Sequence, residues 1–431
     1  MKRITTIVGA GAVLDFDYSY ENAFYPSTLY ITNAIKNLTF KGIEIDQCDV
    51  INTVYNLAYK RKLSVYDNYP LKKLYLSNKY ELYFEELYFL LESMLSFAEN
   101  GIEYYDPNEV PPLATLITVR EELKDYKHIE YERALSTILK SIIDIVDRYD
   151  NHFRENTDSE SWYRSFWKGK DNIKFDVFTF NYDTTIEQSI GEYEDGYELI
   201  ENASNKISAF KPRKLLLNPN DLTTIQHLHG CIYYAECPVE CSNTYHYRDF
   251  FKMNSVKDAL KYSGIQQDEL TQAKEFYKNS PILIGLRKLD KMTFMPSSIY
   301  HANLVCKLMQ NSGLLIIGYS FGDLYVNQLL QRRLLMCGDN HRLVIIDSFP
   351  KHIHSAVDLR YYMLNEMENK KMLHFLELFL DLSFDDNFNV PGVDFSSYND
   401  PIYSKDHKCM LFICGFKQAV ERHSNIILNF L

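Results

Sequence analysis

Five short apolar runs, each cut off by glycine or by a polar side chain, constrain this fold more than any other feature of the chain. They are "RITTIV" before Gly9, "FDVFTF" at 175–180, "TIQHLHG" at 224–230, "GLLIIGYS" at 313–320 and "RLVIID" at 342–347. Runs of this length, β-branched in places, are how strands buried on both faces of a parallel sheet read. After "IIGYS" comes "FGDLYVNQLLQRRLLMCG", which has helical periodicity and Gly338 as a C-terminal cap. Strand, tight turn, helix and strand make a βαβ unit, so the expected class is α/β.

Between the first run and the second the pattern changes. From about Leu71 to Asn100 it is helical, with Leu87, Leu90, Leu91, Met94 and Leu95 on one face. A second helix is expected over roughly Tyr131 to Tyr149, with a stripe of Ala134, Leu135, Ile138, Leu139, Ile142, Ile145 and Val146. The expected organisation is a core formed by 1–50 and 166–350, a helical insertion at 51–165 and a mixed C-terminal extension at 351–431. A chain of 431 residues exceeds one compact core, which agrees with this division.

The formal charge of −12 and the lack of a dense basic run argue against nucleic-acid binding, which rests on neutralising phosphates. A small phosphate ligand stays open, because backbone amides hold phosphate without basic side chains. No run approaches the ~18–20 apolar residues of a membrane helix, and "MKRITTIVGAG" reads as a strand rather than a secretory leader. The eight scattered cysteines suggest free thiols in a reducing cytoplasm. Cys231, Cys237 and Cys241 lie close together, and the last two have a spacing permissible for half a zinc site. No second close pair follows, so no metal is expected.

The chemistry-bearing residues stand where the strands end. Gly9 and Gly11 of "IVGAGAVLDFD" permit a tight turn and close approach of a ligand, but Leu14 breaks the three-glycine dinucleotide fingerprint. Asn181 and Asp183 follow "FDVFTF" and can point to one side, with Tyr182 opposite. They fit the rim of a site, and equally an Asx turn capping the next helix. His229 precedes Gly230 and has the chemistry of a general base, with His227 on the same strand face. Gly318 and Ser320 form another strand-end turn. Asp323 and Asn327 share a helix face, where Asp323 also suits a first-turn carboxylate complementing the helix dipole. Asp347 ends "RLVIID", where an acid suits ribose hydroxyls.

In order, "GAG", "FNYD", "HLHG", "IIGYSFGD" and "VIID" resemble the SIR2-like domain, the bacterial and often antiphage branch of the sirtuin superfamily. The resemblance covers about 1–30 and 170–350. It implies an α/β, Rossmann-like parallel sheet that binds NAD across its strand ends. Gly9, Ala10 and Gly11 match the family's phosphate loop. Asn181 and Asp183 match its Asn-x-Asp pair beside the nicotinamide ribose, and His229 matches its catalytic histidine. Gly318, Ser320 and Phe321 match the turn near the adenosine half, and Asp347 is a looser match to the adenine-ribose contact.

Two departures bear on activity. Deacylating sirtuins have serine where this chain has Val13, and they carry a four-cysteine zinc module that is not found here. The resemblance therefore implies a cytoplasmic NAD+ glycohydrolase, with NAD+ as substrate and no zinc or other cofactor. The run "LYFEELYFLLESMLSF" is apolar on more than one face, which suggests a homo-oligomer or equally burial within this chain, and the resemblance implies a partner protein such as a defence-system ATPase. A protein deacylase and a catalytically silent NAD- or ADP-ribose-binding subunit are the alternatives. Retention of Asn181 together with His229 argues against silence, since binding alone needs no general base.

Overall fold

The computed structural model describes residues 2–16, 31, 50–58, 84–100, 126, 128–156, 160–169, 172–200, 207–236, 249–262, 280–285, 288–319, 321–337, 341–349, 399–404 and 406–431. Its centre is a strand of seven residues, β1 (Lys2–Val8), in which Ile4, Ile7 and Val8 are fully buried. It pairs in parallel with β2 (Ile173–Thr179) on one side and β9 (Gly313–Ile317) on the other. Beyond β2 come β6 (Thr223–His227) and the short β3 (Tyr193–Glu194). Beyond β9 come β10 (Arg342–Ile346), β12 (Cys409–Phe412) and β11 (Ile402–Tyr403). The order is β11-β12-β10-β9-β1-β2-β6-β3, parallel apart from the β11–β12 pair. This is the parallel α/β sheet that the five apolar runs predict, in the Rossmann-like form that the resemblance implies.

The register aligns the strand ends. Val8 pairs with both Thr179 and Ile317, Thr179 with His227, and Ile317 with Ile346. Every strand-end motif therefore emerges on one edge. The chain leaves β1 toward β2 and β6 and later returns to the opposite side at β9, so the β1/β9 junction is the topological switch point where such sheets bind ligands.

In the insertion, α1 (Phe84–Asn100) packs on α2 (His128–Glu155). All seven residues of the expected α2 stripe are buried. On α1, Leu87, Leu91, Met94 and Leu95 are buried within this chain, Leu90 is half-buried, and Phe89 is exposed at 36%. The α2 helix runs six residues past Tyr149, to Glu155, because Phe153 gains a buried partner: its ring stacks on Phe16 at 5.0 Å. Trp162 and Tyr163 of α3 (Ser161–Lys168) close that aromatic cluster.

Two features go beyond the sequence reading. A second sheet, order β4-β5-β8-β7, forms from Tyr197–Leu199, Ser208–Phe210, Phe250–Lys252 and Tyr234–Glu236. It shares a small core with Ala259 of α6 (Val256–Tyr262), and α5 (Pro212–Leu217) follows β5. The residues 402–412, placed above in a C-terminal extension, supply strands of the main sheet. The final helix α10 (Phe416–Phe430) is tied to the first turn by Asp15, whose Oδ2 accepts the Lys417 amide at 3.0 Å.

Candidate active site

Gly9, Ala10 and Gly11 cross the loop that follows β9. The Gly9 amide donates to Ile317 O (2.9 Å) and the Gly11 amide to Gly318 O (3.0 Å). A Cβ on Gly9 would lie 2.4 Å from Gly318 O, and one on Gly11 2.6 Å from Gly318 Cα. Gly318 has φ +56 and its own Cβ would lie 2.3 Å from Ala12 N. These glycines are thus required first by the contact of two backbones at the switch point, before any ligand is considered. A 3-10 turn, Ala10–Val13, follows. Phe321 is buried and holds a left-handed backbone (φ 56), costly for a non-glycine residue and typical of constrained site loops. Ser320 lies outside the described residues.

Asn181 follows β2 and is 8% exposed. Its amide donates to Thr179 Oγ1 (3.0 Å) and its carbonyl accepts from His227 Nδ1 (2.9 Å). Among the described residues its carboxamide has no hydrogen-bond partner, so its polar atoms remain available at the rim. Asp183 behaves differently. Its Oδ1 accepts from the Thr185 amide (3.0 Å) and hydroxyl (2.6 Å), and its Oδ2 from the Tyr149 hydroxyl (2.6 Å). Asp183 forms the Asx turn that opens α4 (Thr185–Ser189). The neighbouring Thr184 donates its amide and hydroxyl to Asp150. Burial and the nearby Asp183 carboxylate push Asp150 up to about 7. Tyr149 and Asp150 belong to α2, so the insertion holds this turn from behind.

His229 stands one strand over. Its ring meets Phe180 edge-on (4.6 Å, 85°), and Phe180 stacks on Tyr319 (4.9 Å, 15°), which brings the β6, β2 and β9 loops together. Its backbone is fixed from outside the sheet. The Leu283 amide donates to His229 O (2.8 Å), and Pro281 O passes 1.8 Å from where a Cβ on Gly230 (φ +87) would stand. His229 Nε2 is 3.4 Å from Asp323 Oδ2, which also pairs with Lys288 Nζ at 2.6 Å. Burial, reinforced by the Lys288 charge, pushes His229 down to about 4, so its ring is neutral near pH 7. Despite its burial, Asp323 sits well below the ordinary carboxylate range because His229 and Lys288 surround it. Its Oδ1 accepts the Val326 amide (3.1 Å) and so caps α9 (Leu324–Cys337). Lys288 opens α7 (Lys288–Lys291), and His301 of α8 (Ser297–Gln310), held below its ordinary value by burial, is a further neighbour of His229.

Asp347 ends β10, its Oδ1 accepting the Ser348 amide (2.8 Å). Burial pushes it up to about 7. From β10 to β2 is three inter-strand steps, about 14 Å. A dinucleotide lying across the strand ends covers such a span.

The strand-end reading named Asn181, Asp183, His229, Gly318 and Asp347, and the sheet brings all of them to one edge. It missed Tyr149, Asp150, Lys288 and His301. It named Asp323 as a helix-face residue without placing it beside His229. Among the described residues no group of three or more His, Cys, Asp or Glu side chains is arranged to hold a metal. Cys231 is buried and free, while Cys237 and Cys241 lie outside the described residues. No described helix is long and apolar enough to cross a membrane.

Residues 176–367 match the family described as the SIR2-like domain, a span that contains β6, β9, β10 and most of β2. No curated protein matches the chain. A SIR2-like domain is consistent with NAD-utilising chemistry.

Proposed function

We propose that this chain, which carries a SIR2-like domain over residues 176–367, is an NAD+ glycohydrolase that uses water to split the nicotinamide–ribose bond. The products are nicotinamide, ADP-ribose and a proton. The observation that carries this reading is the pairing of an unengaged Asn181 carboxamide with a neutral, half-buried His229 on adjacent strand ends. Nicotinamide in NAD+ is already cationic, so its departure needs no general acid. The transition state has oxocarbenium character, as in other glycoside cleavage. Asn181 orients the ribose and the attacking water. His229 takes the proton from that water or from a ribose hydroxyl, a role that requires a neutral ring. Asp323 fixes the ring's orientation, while burial and the Lys288 charge keep it unprotonated against the pull of that carboxylate. Asp183, engaged with Tyr149 and Thr185, contributes by shaping the turn and by placing negative charge behind the developing cation. Asp347 serves the ribose hydroxyls of the adenosine half.

An unrestrained enzyme of this kind would drain its host's NAD+, which suits an antiphage, abortive-infection effector. Control then falls to the insertion. Because α2 holds the Asn181–Asp183 turn through Tyr149 and Asp150, a shift of α2 on assembly would order or release the site. Assembly here means a homo-oligomer in the cytoplasm, with a partner such as a defence ATPase. The test incubates the chain with NAD+ over a concentration series and follows nicotinamide and ADP-ribose. Equimolar products at a specific rate that rises with chain concentration support the reading. NAD+ left intact at every concentration would remove it.

A further inference from the structure

His227 is a fully buried histidine with a polar partner at each ring nitrogen. Nδ1 lies 2.9 Å from the Asn181 carbonyl oxygen, and Nε2 lies 2.7 Å from Glu187 Oε1. A carbonyl only accepts, so Nδ1 carries a proton. A carboxylate at Nε2 calls for a second proton, which makes the ring an imidazolium. Burial alone, the largest single effect, would lower the affinity of this ring for that proton, and the Glu187 carboxylate together with the Asn181 carbonyl outweighs it, leaving the group above its ordinary value. The other groups facing it are the Lys252 ammonium of β8, which opposes the charge, and the Tyr234 ring of β7 at 6.0 Å.

For stability alone this is a poor arrangement. Burying an ion pair costs desolvation that its attraction barely offsets. The second oxygen, Glu187 Oε2, is buried with no hydrogen-bond partner among the described residues. What the pair does achieve is geometric. Asn181 lies beyond the last paired residue of β2, and Glu187 lies on α4, the helix that follows the turn. The ring ties the two ends of the segment 181–187 to β6, whose His227 is in register with Thr179. We propose that His227 is a positioning residue, a charged staple that fixes the Asn181 backbone and thereby aims its carboxamide into the cleft. This rests on the glycohydrolase reading for its consequence in turnover, but the staple itself does not.

Two substitutions separate the ends of the staple. His227→Asn places an amide donor where Nδ1 stands, keeping the Asn181 carbonyl held while leaving Glu187 unpaired. His227→Gln places it where Nε2 stands, keeping Glu187 and releasing Asn181. A structural role ranks His227→Gln as the better variant in every assay. The staple instead predicts that activity and stability part company. His227→Gln melts higher but loses about 10²-fold in kcat with little change in KM, the scale of a misplaced reacting group. His227→Asn melts lower and keeps more turnover. If His227→Asn fails to fold, Glu187→Gln takes its place, since it preserves the Nδ1 donor and is expected to keep more turnover than His227→Gln. Hydrogen exchange of the peptide 179–187 supplies a readout independent of turnover, with faster exchange expected in His227→Gln than in the other two. A kcat that simply follows melting temperature, or equal exchange in all variants, overturns the staple. A wild-type chain that leaves NAD+ intact removes the glycohydrolase reading, and the exchange data alone then decide the staple.

Discussion

The Tyr149 hydroxyl donates to Asp183 Oδ2 at 2.6 Å, joining the insertion helix to the turn that carries Asn181. Both groups are buried, so neither has water as an alternative partner. Removing the hydroxyl leaves a buried carboxylate oxygen unsatisfied, which costs roughly 1–3 kcal/mol. Tyr149→Phe is therefore expected to lower the free energy of unfolding by that amount, seen as a lower denaturant midpoint. It should also reduce kcat more than it raises KM. Chemical denaturation with parallel steady-state kinetics checks both. An unchanged midpoint would mean that α2 does not hold the turn.

His229 supplies a pH prediction. Its folded value of about 4 lies below the ordinary 6.5, so the ring is neutral across the physiological range. A base works when unprotonated, so its contribution to turnover is full above that value and is lost as pH falls through it. The kcat profile should stay flat from about pH 6 to 8 as far as this group is concerned, and then decline toward pH 4. A limb near 6.5 would show a solvated, unperturbed histidine. The same shift has a stability consequence of the same sign: between 6.5 and 4 the unfolded chain binds the proton more readily, so His229 disfavours the fold as pH drops.

Asp347 shifts the other way. Its folded value of about 7 exceeds the ordinary 3.8, so its contribution to stability is present at low pH and is lost as pH rises through 7. Asp347→Asn keeps an acceptor for the Ser348 amide and removes the half-buried charge. The variant is expected to melt above wild type at pH 8 and with it at pH 4. Its KM for NAD+ should rise at pH 8, where the wild-type carboxylate would accept ribose hydroxyls. Matching KM values at pH 8 would place the adenosine half elsewhere.

How much of this was legible depended on the kind of contact. The strands were, because a run such as "GLLII", buried on both faces, carries its environment in its composition. Asn181, His229 and Asp347 were, because a polar residue at the end of such a run has one edge to occupy. "CMLFIC" before Gly415 obeys the same rule, although the loop-rich sequence around it hid β12. The second sheet was not legible, since strands of three residues are too short to show a period. Nor were the partners of the site. Lys288 meets Asp323 across 35 positions, and Tyr149 meets Asp183 across 34. Both meetings are set by how helices pack on the sheet, which no local pattern encodes. Asp183 shows the opposite case: its Asx-turn reading and its site reading were equally open, and only the hydrogen bonds to Thr185 and Tyr149 reveal how its oxygens are used.

The central claim is that Asn181 and His229 together cleave NAD+ at the strand ends. The measurement that tests it most directly is NAD+ turnover by wild type, Asn181→Ala and His229→Ala at one high chain concentration, with nicotinamide and ADP-ribose quantified and folding checked by thermal melting. Both side chains sit at strand ends rather than in the apolar core, so cavity costs are small and both variants should melt near wild type. The account predicts equimolar nicotinamide and ADP-ribose from wild type and none above background from either variant. Full turnover by either folded variant would contradict it.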